Sequence, residues 1–167
     1  MKTAKLIALA ALLVLAACKA PPTSTRREVY PDPAQAKSDL AAALQTAAQT
    51  HKRILLDFGG NWCADCQVLN IYFHDAKNRP LLEANFVLVP INIGHMDENL
   101  DIAERYEVPL SRGVPALAVL SENGTLLYSQ KGGEFEAMRR MESSAVTGFL
   151  VQWRPNGPPC SAVMVNC

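Results

Sequence analysis

The sequence predicts an α/β domain in which a central mixed β-sheet is flanked by helices. Short apolar runs alternate along the chain with longer segments of helical periodicity, and this alternation favours strands joined by helical crossovers. Two later apolar runs are separated by SENGT, and an Asn-Gly dipeptide in that setting is a strong hairpin signal. The expected elements, in chain order, are a helix over 34–50, a strand over 54–58, a helix over 63–75, a short helix over 81–84, a strand over 86–93, a helix over 98–106, strands over 116–120 and 126–129, and a helix over 135–153.

The first elements are predicted from composition and spacing. Residues 34–50 are rich in Ala and Leu and contain neither Gly nor Pro, which favours a helix. Residues 54–58, ILLDF, form a short apolar run that is typical of a buried strand. Beyond this run, Cys66, Leu69 and Phe73 recur at helical spacing, so we expect one face of a helix to pack against the sheet.

The order of the elements also predicts how the strands pair. Strands that are separated by a helix are joined by a crossover and pair in parallel, whereas a tight turn joins antiparallel strands. We therefore expect parallel pairing among the first three strands and an antiparallel pair formed by 116–120 and 126–129. Helical crossovers of this kind place helices on both faces of the sheet.

The N-terminus carries the pattern of an export signal. Lys2 and Lys5 precede an apolar run over 6–17, which is too short to cross a bilayer but has the length of a signal-peptide core. The run ends in LAAC at Cys18, which resembles the lipobox of bacterial lipoproteins. That resemblance implies cleavage before Cys18 and lipidation of its thiol. An ordinary cleaved signal and an uncleaved anchor are the alternatives.

The domain organisation follows from this signal. We expect a lipoprotein signal peptide at 1–17, a lipidated cysteine and flexible tether at 18–33, a folded domain at 34–154 and a tail at 155–167. The location would be the periplasmic side of a bacterial membrane, and Lys19 favours the outer one. Loss of residues 1–17 removes two lysines and no acid, so the net charge falls from 0 to −2. Such a charge offers no electrostatic footprint for nucleic acid.

Several separated motifs make the chain resemble the thioredoxin family over roughly 34–153. ILLDF followed by NWCADC matches the buried strand and the W-C-x-x-C site of that family. RGVPAL at 112–117 resembles the family's cis-proline loop, and the hairpin turn also lies where the family has it. The resemblance implies a thioredoxin-like fold and a thiol–disulfide oxidoreductase without a cofactor. Its partners would be protein disulfide substrates and a membrane or periplasmic redox protein, and we expect a monomer.

The resemblance assigns roles to three residues. Cys63 at the start of a helix would be stabilised as a thiolate by the free amide groups and dipole there, and it would attack a substrate disulfide. Cys66, one turn later, would attack Cys63 and release the substrate. Asp57 would accept the proton of Cys66, since burial in an apolar strand raises the pKa of a carboxyl group. The alternative for Asp57 is a structural role as a buried hydrogen-bonding group.

Three further residues are expected to bind substrate. In the family the peptide bond before the proline is cis, which here is the Val114–Pro115 bond, and the residue before the proline pairs with the substrate backbone. An ordinary loop proline is the alternative for Pro115. Trp62 would shield the cysteines and offer contact surface, the alternative being plain core packing.

Two departures from the family pattern concern the site itself. The carboxylate of Asp65, two residues after Cys63, disfavours a thiolate nearby, which favours a reductant over an oxidase or isomerase. Gly59 and Gly60 replace bulkier residues and predict a looser docking surface.

The remaining cysteines leave alternatives open. Cys160 and Cys167 are expected to close a small structural disulfide in the tail, the alternative being a second redox pair. In a different class of function, these two and the C-x-x-C pair would form a Cys₄ metal site. The six-residue gap before Cys167 fits that pattern poorly, and the histidines form no visible ligand set, so we expect no metal. The third class is a scaffold of the same fold with an idle cysteine pair.

Overall fold

The computed structural model describes residues 28–157. Their helices and strands are α1 (Ala36–Thr50), β1 (Arg53–Gly59), α2 (Ala64–Phe73), α3 (Asn78–Asn85), β2 (Phe86–Asn92), α4 (Leu100–Arg105), β3 (Ala116–Leu120), β4 (Leu126–Ser129) and α5 (Ser143–Trp153). Short 3₁₀ turns lie at Pro33–Gln35, Leu110–Arg112 and Met138–Arg140. The predicted order of helices and strands is confirmed.

The four strands form one mixed sheet in the order β2-β1-β3-β4. β1 pairs with β2 in parallel, while β3 runs antiparallel to both β1 and β4. The expected parallel pairing of the third strand is therefore wrong. The connection from β2 to β3 contains only the six-residue α4, a 3₁₀ turn and irregular loops, and a connection of this kind does not fix the direction of the next strand as a long crossover helix does. Ala116 pairs with Phe58, so β3 starts at the end of the sheet where β1 finishes.

Both faces of the sheet are covered, as predicted. Ile54, Leu56 and Phe58 lie in one fully buried cluster with residues of α1, β2 and α4. Leu55 lies in the second cluster, with residues of α2, α3 and α5. Because side chains alternate across a strand, Asp57 shares the face of Leu55 and is therefore directed toward α2.

The last helix is shorter than the predicted span of 135–153. It begins at Ser143, and the preceding residues form a loop with one 3₁₀ turn. Phe135 and Met138 from this loop are 5% and 0% exposed, so the apolar residues that suggested a helix are buried by an irregular segment instead. The backbone amide of Arg139 donates to the carboxylate of Asp65 on α2 and not to a carbonyl of an α-helix that includes Arg139.

The expected tether, 18–33, is packed against the domain at its C-terminal end. Tyr30 is only 1% exposed, and the amide groups of Val29 and Tyr30 both donate to the side chain of Asn61. The folded unit therefore begins by Val29 and not at residue 34.

None of the helices within residues 28–157 is both long enough and apolar enough to cross a membrane.

Candidate active site

The two cysteines of the C-x-x-C lie at the start of α2 and form a disulfide. Cys63 is the N-cap residue, and its Sγ accepts a hydrogen bond from the amide of Cys66 at 3.1 Å. An amide donor at a helix N-terminus stabilises negative charge on that sulfur once the disulfide is opened. Cys66 is fully buried and Cys63 is 6% exposed, so Cys63 is the more accessible sulfur.

The loop before β3 meets the cysteines as predicted. The Val114–Pro115 peptide bond is cis, and Cys63 Sγ lies 3.6 Å from the carbonyl oxygen of Val114. Pro115 is buried, while Val114 is half-buried and packs against the cysteine cluster. The reversed direction of β3 produces this arrangement, because it brings the start of β3 to the edge where β1 ends.

Asp57 is buried, with an exposed fraction of 1%. Burial raises the pKa of this carboxyl group to about 7, although a hydrogen bond from Tyr30 opposes that rise. The phenol of Tyr30 donates to Oδ1 of Asp57 at 2.9 Å. A carboxyl group that titrates near neutral pH is suited to exchanging a proton with a thiol.

Tyr30 is the site residue that the sequence analysis does not identify, since it falls within the expected tether, 18–33. It forms one buried cluster with Cys63 and Cys66. The only signal in the sequence is an isolated apolar pair, Val29-Tyr30, between charged residues and prolines. Such a pair has no periodicity, so it does not predict burial.

The glycines before the site have a structural role that differs from the expected looser surface. A Cβ atom at Gly59 would lie 2.5 Å from the Tyr30 hydroxyl oxygen and 2.8 Å from Cys66 Sγ. A Cβ atom at Gly60 would lie 2.6 Å from the Trp62 ring nitrogen. Both glycines are buried, so they make room for aromatic side chains around the cysteines.

Trp62 lies at the surface beside the cysteines. Its side chain is 40% exposed, which excludes plain core packing. The indole Nε1–H donates to the carbonyl of Gly94 at 2.5 Å, and the ring stacks on His95 with centroids 5.9 Å apart. The hydrogen bond and the stack hold the ring in place while leaving part of it open for contact.

Asp65 has a partner that the sequence analysis did not identify. Its carboxylate accepts hydrogen bonds from the backbone amide and from Nε of Arg139, at 2.9 and 3.1 Å. The guanidinium also forms an ion pair with it. Because a cation lies against this carboxylate, its repulsion of a Cys63 thiolate is weaker than the sequence suggested.

Three predicted residues, Cys18, Cys160 and Cys167, lie outside the described residues. Within 28–157 no three His, Cys, Asp or Glu side chains converge in a way that could hold a metal ion.

Comparison with known proteins gives consistent similarities. Residues 35–121, more than half of the chain, match the family described as thioredoxin-like. A thioredoxin from Buchnera aphidicola subsp. Baizongia pistaciae is 31% identical over 88 residues, which cover 53% of this chain and 72% of the relative. A crystal structure described as a disulphide isomerase from Xylella fastidiosa Temecula1 is 35% identical, with a TM-score of 0.71, and the match covers 74% of this chain and 95% of that one.

A more distant structure resembles the chain in fold. The C-terminal domain of Neisseria meningitidis DsbD in its reduced form is 20% identical with a TM-score of 0.52, and the match covers 71% of this chain and 96% of that domain.

Proposed function

Because the chain belongs to the thioredoxin-like family and is a thiol–disulfide oxidoreductase, we propose that it reduces disulfides of proteins outside the cytoplasm. The observation that carries the proposal is the division of the cysteine pair. Cys63 lies beside the cis-proline loop and is the more accessible sulfur, whereas Cys66 is fully buried in one cluster with Tyr30, whose hydroxyl contacts the buried acid Asp57.

The reaction proceeds by two exchanges of a sulfur–sulfur bond. In the reduced protein the Cys63 thiolate attacks one sulfur of the substrate disulfide, and the other sulfur leaves with the bonding electron pair. Cys66 then passes its proton to Asp57, and the resulting thiolate attacks Cys63 Sγ. The bond between Cys63 and the substrate breaks, and the second substrate sulfur leaves with its electron pair. Two electrons have then moved to the substrate, which takes up two protons, and the protein ends as the Cys63–Cys66 disulfide.

Val114, Pro115 and Trp62 are proposed to bind the substrate. Val114 is half-buried and lies beside Cys63, whose sulfur attacks the substrate, so its backbone is available to pair with an extended peptide. Trp62 offers an apolar surface on the neighbouring side of Cys63. Contacts of this type recognise the backbone and the apolar side chains of a substrate, so they accept many different substrate sequences.

The buried half of the site supports the reducing direction. A thiolate at Cys66 would be formed at a fully buried position, close to the phenol that contacts the Asp57 carboxyl group, and both burial and a negative charge nearby disfavour it. When the thiolates are disfavoured, the disulfide is harder to reduce and the dithiol is the stronger reductant. Asp65 contributes less to this direction than its sequence position suggests, because its charge is paired with Arg139.

The redox potential of the Cys63–Cys66 pair tests the direction. The full chain with Cys18, Cys160 and Cys167 changed to Ser would be equilibrated in glutathione or dithiothreitol buffers, and the free thiols would be counted by mass after alkylation. We expect a value near that of thioredoxin, about −270 mV. A value near −120 mV, where strong oxidants lie, would contradict a reductant. The Cys66→Ser variant should accumulate mixed disulfides with protein substrates, while Cys63→Ser should accumulate none.

Disulfide isomerisation is the second candidate, favoured by the Xylella fastidiosa structure described as an isomerase. An isomerase starts from the same reduced pair, but its substrate leaves with rearranged disulfides and no net gain of electrons. Scrambled ribonuclease separates the two activities. Recovery of ribonuclease activity without consumption of dithiol would favour the isomerase, whereas stoichiometric oxidation of the protein would favour the reductase.

The N-terminus is proposed to anchor the protein on the periplasmic side of a bacterial membrane through lipid on Cys18, with 1–17 as the signal. The packed domain begins by Val29, so the proposed tether is shorter than 18–33. Incorporation of labelled palmitate should occur in the native chain and not in Cys18→Ser. Label retained in that variant would contradict lipidation at this cysteine.

The tail is proposed to carry a structural disulfide between Cys160 and Cys167. Peptide mapping without reduction should recover these two cysteines in one linked fragment. If the Cys160→Ser variant retains the rate and potential of the native protein, the pair is structural. A changed potential would instead support a second redox pair.

A further inference from the structure

Tyr30 contributes a hydroxyl group to the buried side of the active site. It is 1% exposed, and its Oη donates to Oδ1 of Asp57 at 2.9 Å. The same oxygen lies close to the sulfur of Cys66, because a Cβ atom at Gly59 would contact both, at 2.5 and 2.8 Å. The phenol therefore contacts the carboxyl group and also lies close to the inner sulfur.

The backbone that carries Tyr30 is held firmly. The side-chain oxygen of Asn61 accepts from the amides of Val29 and Tyr30 at 2.8 and 3.0 Å, and its nitrogen donates to the Tyr30 carbonyl at 2.8 Å. Asn92 donates to the carbonyl of Pro31 at 2.7 Å. These bonds attach the segment both to the residue before Trp62 and to the end of β2, so the phenol has one defined position.

Among residues 28–157, few charged or titratable groups face Asp57. Its register partners are Pro90 on β2 and Leu117 on β3, and neither titrates. From the N-terminal segment the neighbour is Tyr30, which contacts the carboxyl group and shares a buried cluster with the two cysteines of α2 and its N-cap. The hydrogen bond from Tyr30 lowers the pKa of Asp57 against the larger upward effect of burial. The phenol is therefore the polar group that offsets the burial of this carboxylate.

We propose that Tyr30 is a positioning residue of the thiol–disulfide exchange: its hydroxyl holds Asp57 as the ionised carboxylate that takes the proton of Cys66. The inference rests on the proposed function, in which Asp57 is the base for the second exchange. In that step the S–H bond of Cys66 breaks, an O–H bond forms on Asp57, and the electron pair stays on Cys66 Sγ for the attack on Cys63. Tyr30 keeps its own proton throughout, since burial and the adjacent carboxylate hold the pKa of the phenol well above its ordinary value.

The two exchanges can be timed separately with 5,5′-dithiobis(2-nitrobenzoate). The reduced full chain with Cys18, Cys160 and Cys167 changed to Ser releases one coloured thiolate when Cys63 attacks and a second when Cys66 displaces the adduct. In Tyr30→Phe the first phase should be unchanged at all pH values. The midpoint of the second phase should move to higher pH by about one unit, because one charge-assisted hydrogen bond is lost. At pH 6 this corresponds to a rate about tenfold slower.

The control is Tyr72→Phe, which removes another phenol that donates one hydrogen bond, here to the carbonyl of Met141 at 3.0 Å. Its pH midpoint should equal that of the parent chain. In an Asp57→Asn background, Tyr30→Phe should cause no further shift of the midpoint. Asn61→Ala is a second, independent test: it keeps the hydroxyl but releases the backbone of Tyr30, and it should move the midpoint in the same direction.

The outcomes separate the inference from the function on which it depends. A parent chain with no second phase would overturn the proposed exchange by Cys66. Two normal phases in the parent, together with an unshifted midpoint in Tyr30→Phe, would show that Tyr30 only fills space. An equal shift with and without Asp57 would show that the phenol acts on Cys66 directly and would also overturn the inference.

Discussion

Asp57 and Pro90 are register partners in the parallel ladder of β1 and β2. Proline has no amide N–H and no polar side chain, so the strand beside the buried acid supplies neither a charge nor a donor. The carboxyl group depends on Tyr30 for its polar contact, at 2.9 Å. An acid in this position is costly to ionise in the folded state, and the cost has consequences for stability that can be measured.

Asp57→Asn should make the oxidised protein more stable at alkaline pH. The pKa of Asp57 is about 7 in the folded state and 3.8 ordinarily, so the folded state binds more protons and stability falls as pH rises from about 4 to about 7. In the Asp57→Asn variant no carboxyl group titrates at this position, so this fall in stability with pH does not occur. Its advantage in the free energy of unfolding should grow by about 2–3 kcal/mol between pH 5 and pH 8. Urea unfolding at the two pH values measures it, and a pH-independent difference would contradict the raised pKa.

Gly59→Ala should destabilise the protein by about 1–3 kcal/mol, because the new methyl group overlaps Tyr30 and Cys66 Sγ. The matched control is Gly148→Ala. A Cβ atom there has nothing within 4 Å, and the residue lies inside α5. Since Ala favours a helix, this control should gain about 0.5–1 kcal/mol. Unfolding in urea compares the two, and equal effects of the same sign would argue against close packing at Gly59.

Arg139→Gln should make the Cys63–Cys66 pair slightly more reducing. Loss of the guanidinium leaves the negative charge of Asp65 unpaired in the first turn of α2, where it disfavours a thiolate at Cys63. Because the Arg139 side chain is 64% exposed, solvent screens the ion pair, and the potential should fall by only about 10 mV.

The control for this charge effect is Arg140→Gln. Arg140 is exposed and follows Arg139 directly, and no hydrogen bond or ion pair joins it to Asp65 among the described residues. Its potential should equal that of the parent chain in the same glutathione buffers. If the potential changed equally in Arg139→Gln and Arg140→Gln, the cause would be the net charge and not the ion pair of Asp65.

Asn61→Ala should destabilise the protein by about 3 kcal/mol, because three hydrogen bonds to the N-terminal segment are lost. Hydrogen exchange at the amides of Val29 and Tyr30 should become faster while exchange in β1 changes little. Asn85→Ala is the comparison, since the Asn85 side chain donates one hydrogen bond, to the carbonyl of Leu81. This variant should lose about 1 kcal/mol in the free energy of unfolding. Unchanged protection at Val29 and Tyr30 would mean that the segment is held by other contacts.

Features with a local signal were predictable from the sequence. The apolar run before Gly59, the helical spacing of Cys66, Leu69 and Phe73, and the Asn-Gly turn each depend on residues a few positions apart. The structure places β1, α2 and the β3–β4 hairpin where these patterns indicated. The proximity of Cys63 to Val114, by contrast, was inferred from a family resemblance and not from any local pattern.

Features that depend on distant residues were not predictable in this way. Tyr30 and Asp57 are 27 positions apart, and Arg139 and Asp65 are 74 apart. No periodicity connects such pairs. In an irregular segment, the sequence around a polar or aromatic residue does not indicate whether its side chain is buried or exposed. The direction of β3 was also missed, because the connection before it is mostly irregular loop, which carries no local signal for strand direction.

The sequence by itself therefore determined the order of the elements, the chemistry of the cysteine pair and the burial of an acid near it. These depend on hydrophobic periodicity and on residue types at short spacing. Only the tertiary structure decided what surrounds that chemistry: the phenol that contacts Asp57, the cation that pairs with Asp65, and the edge at which Val114 meets Cys63. Each is a contact between segments that sheet order and packing bring together. The pattern of residues over a few neighbouring positions does not predict such contacts.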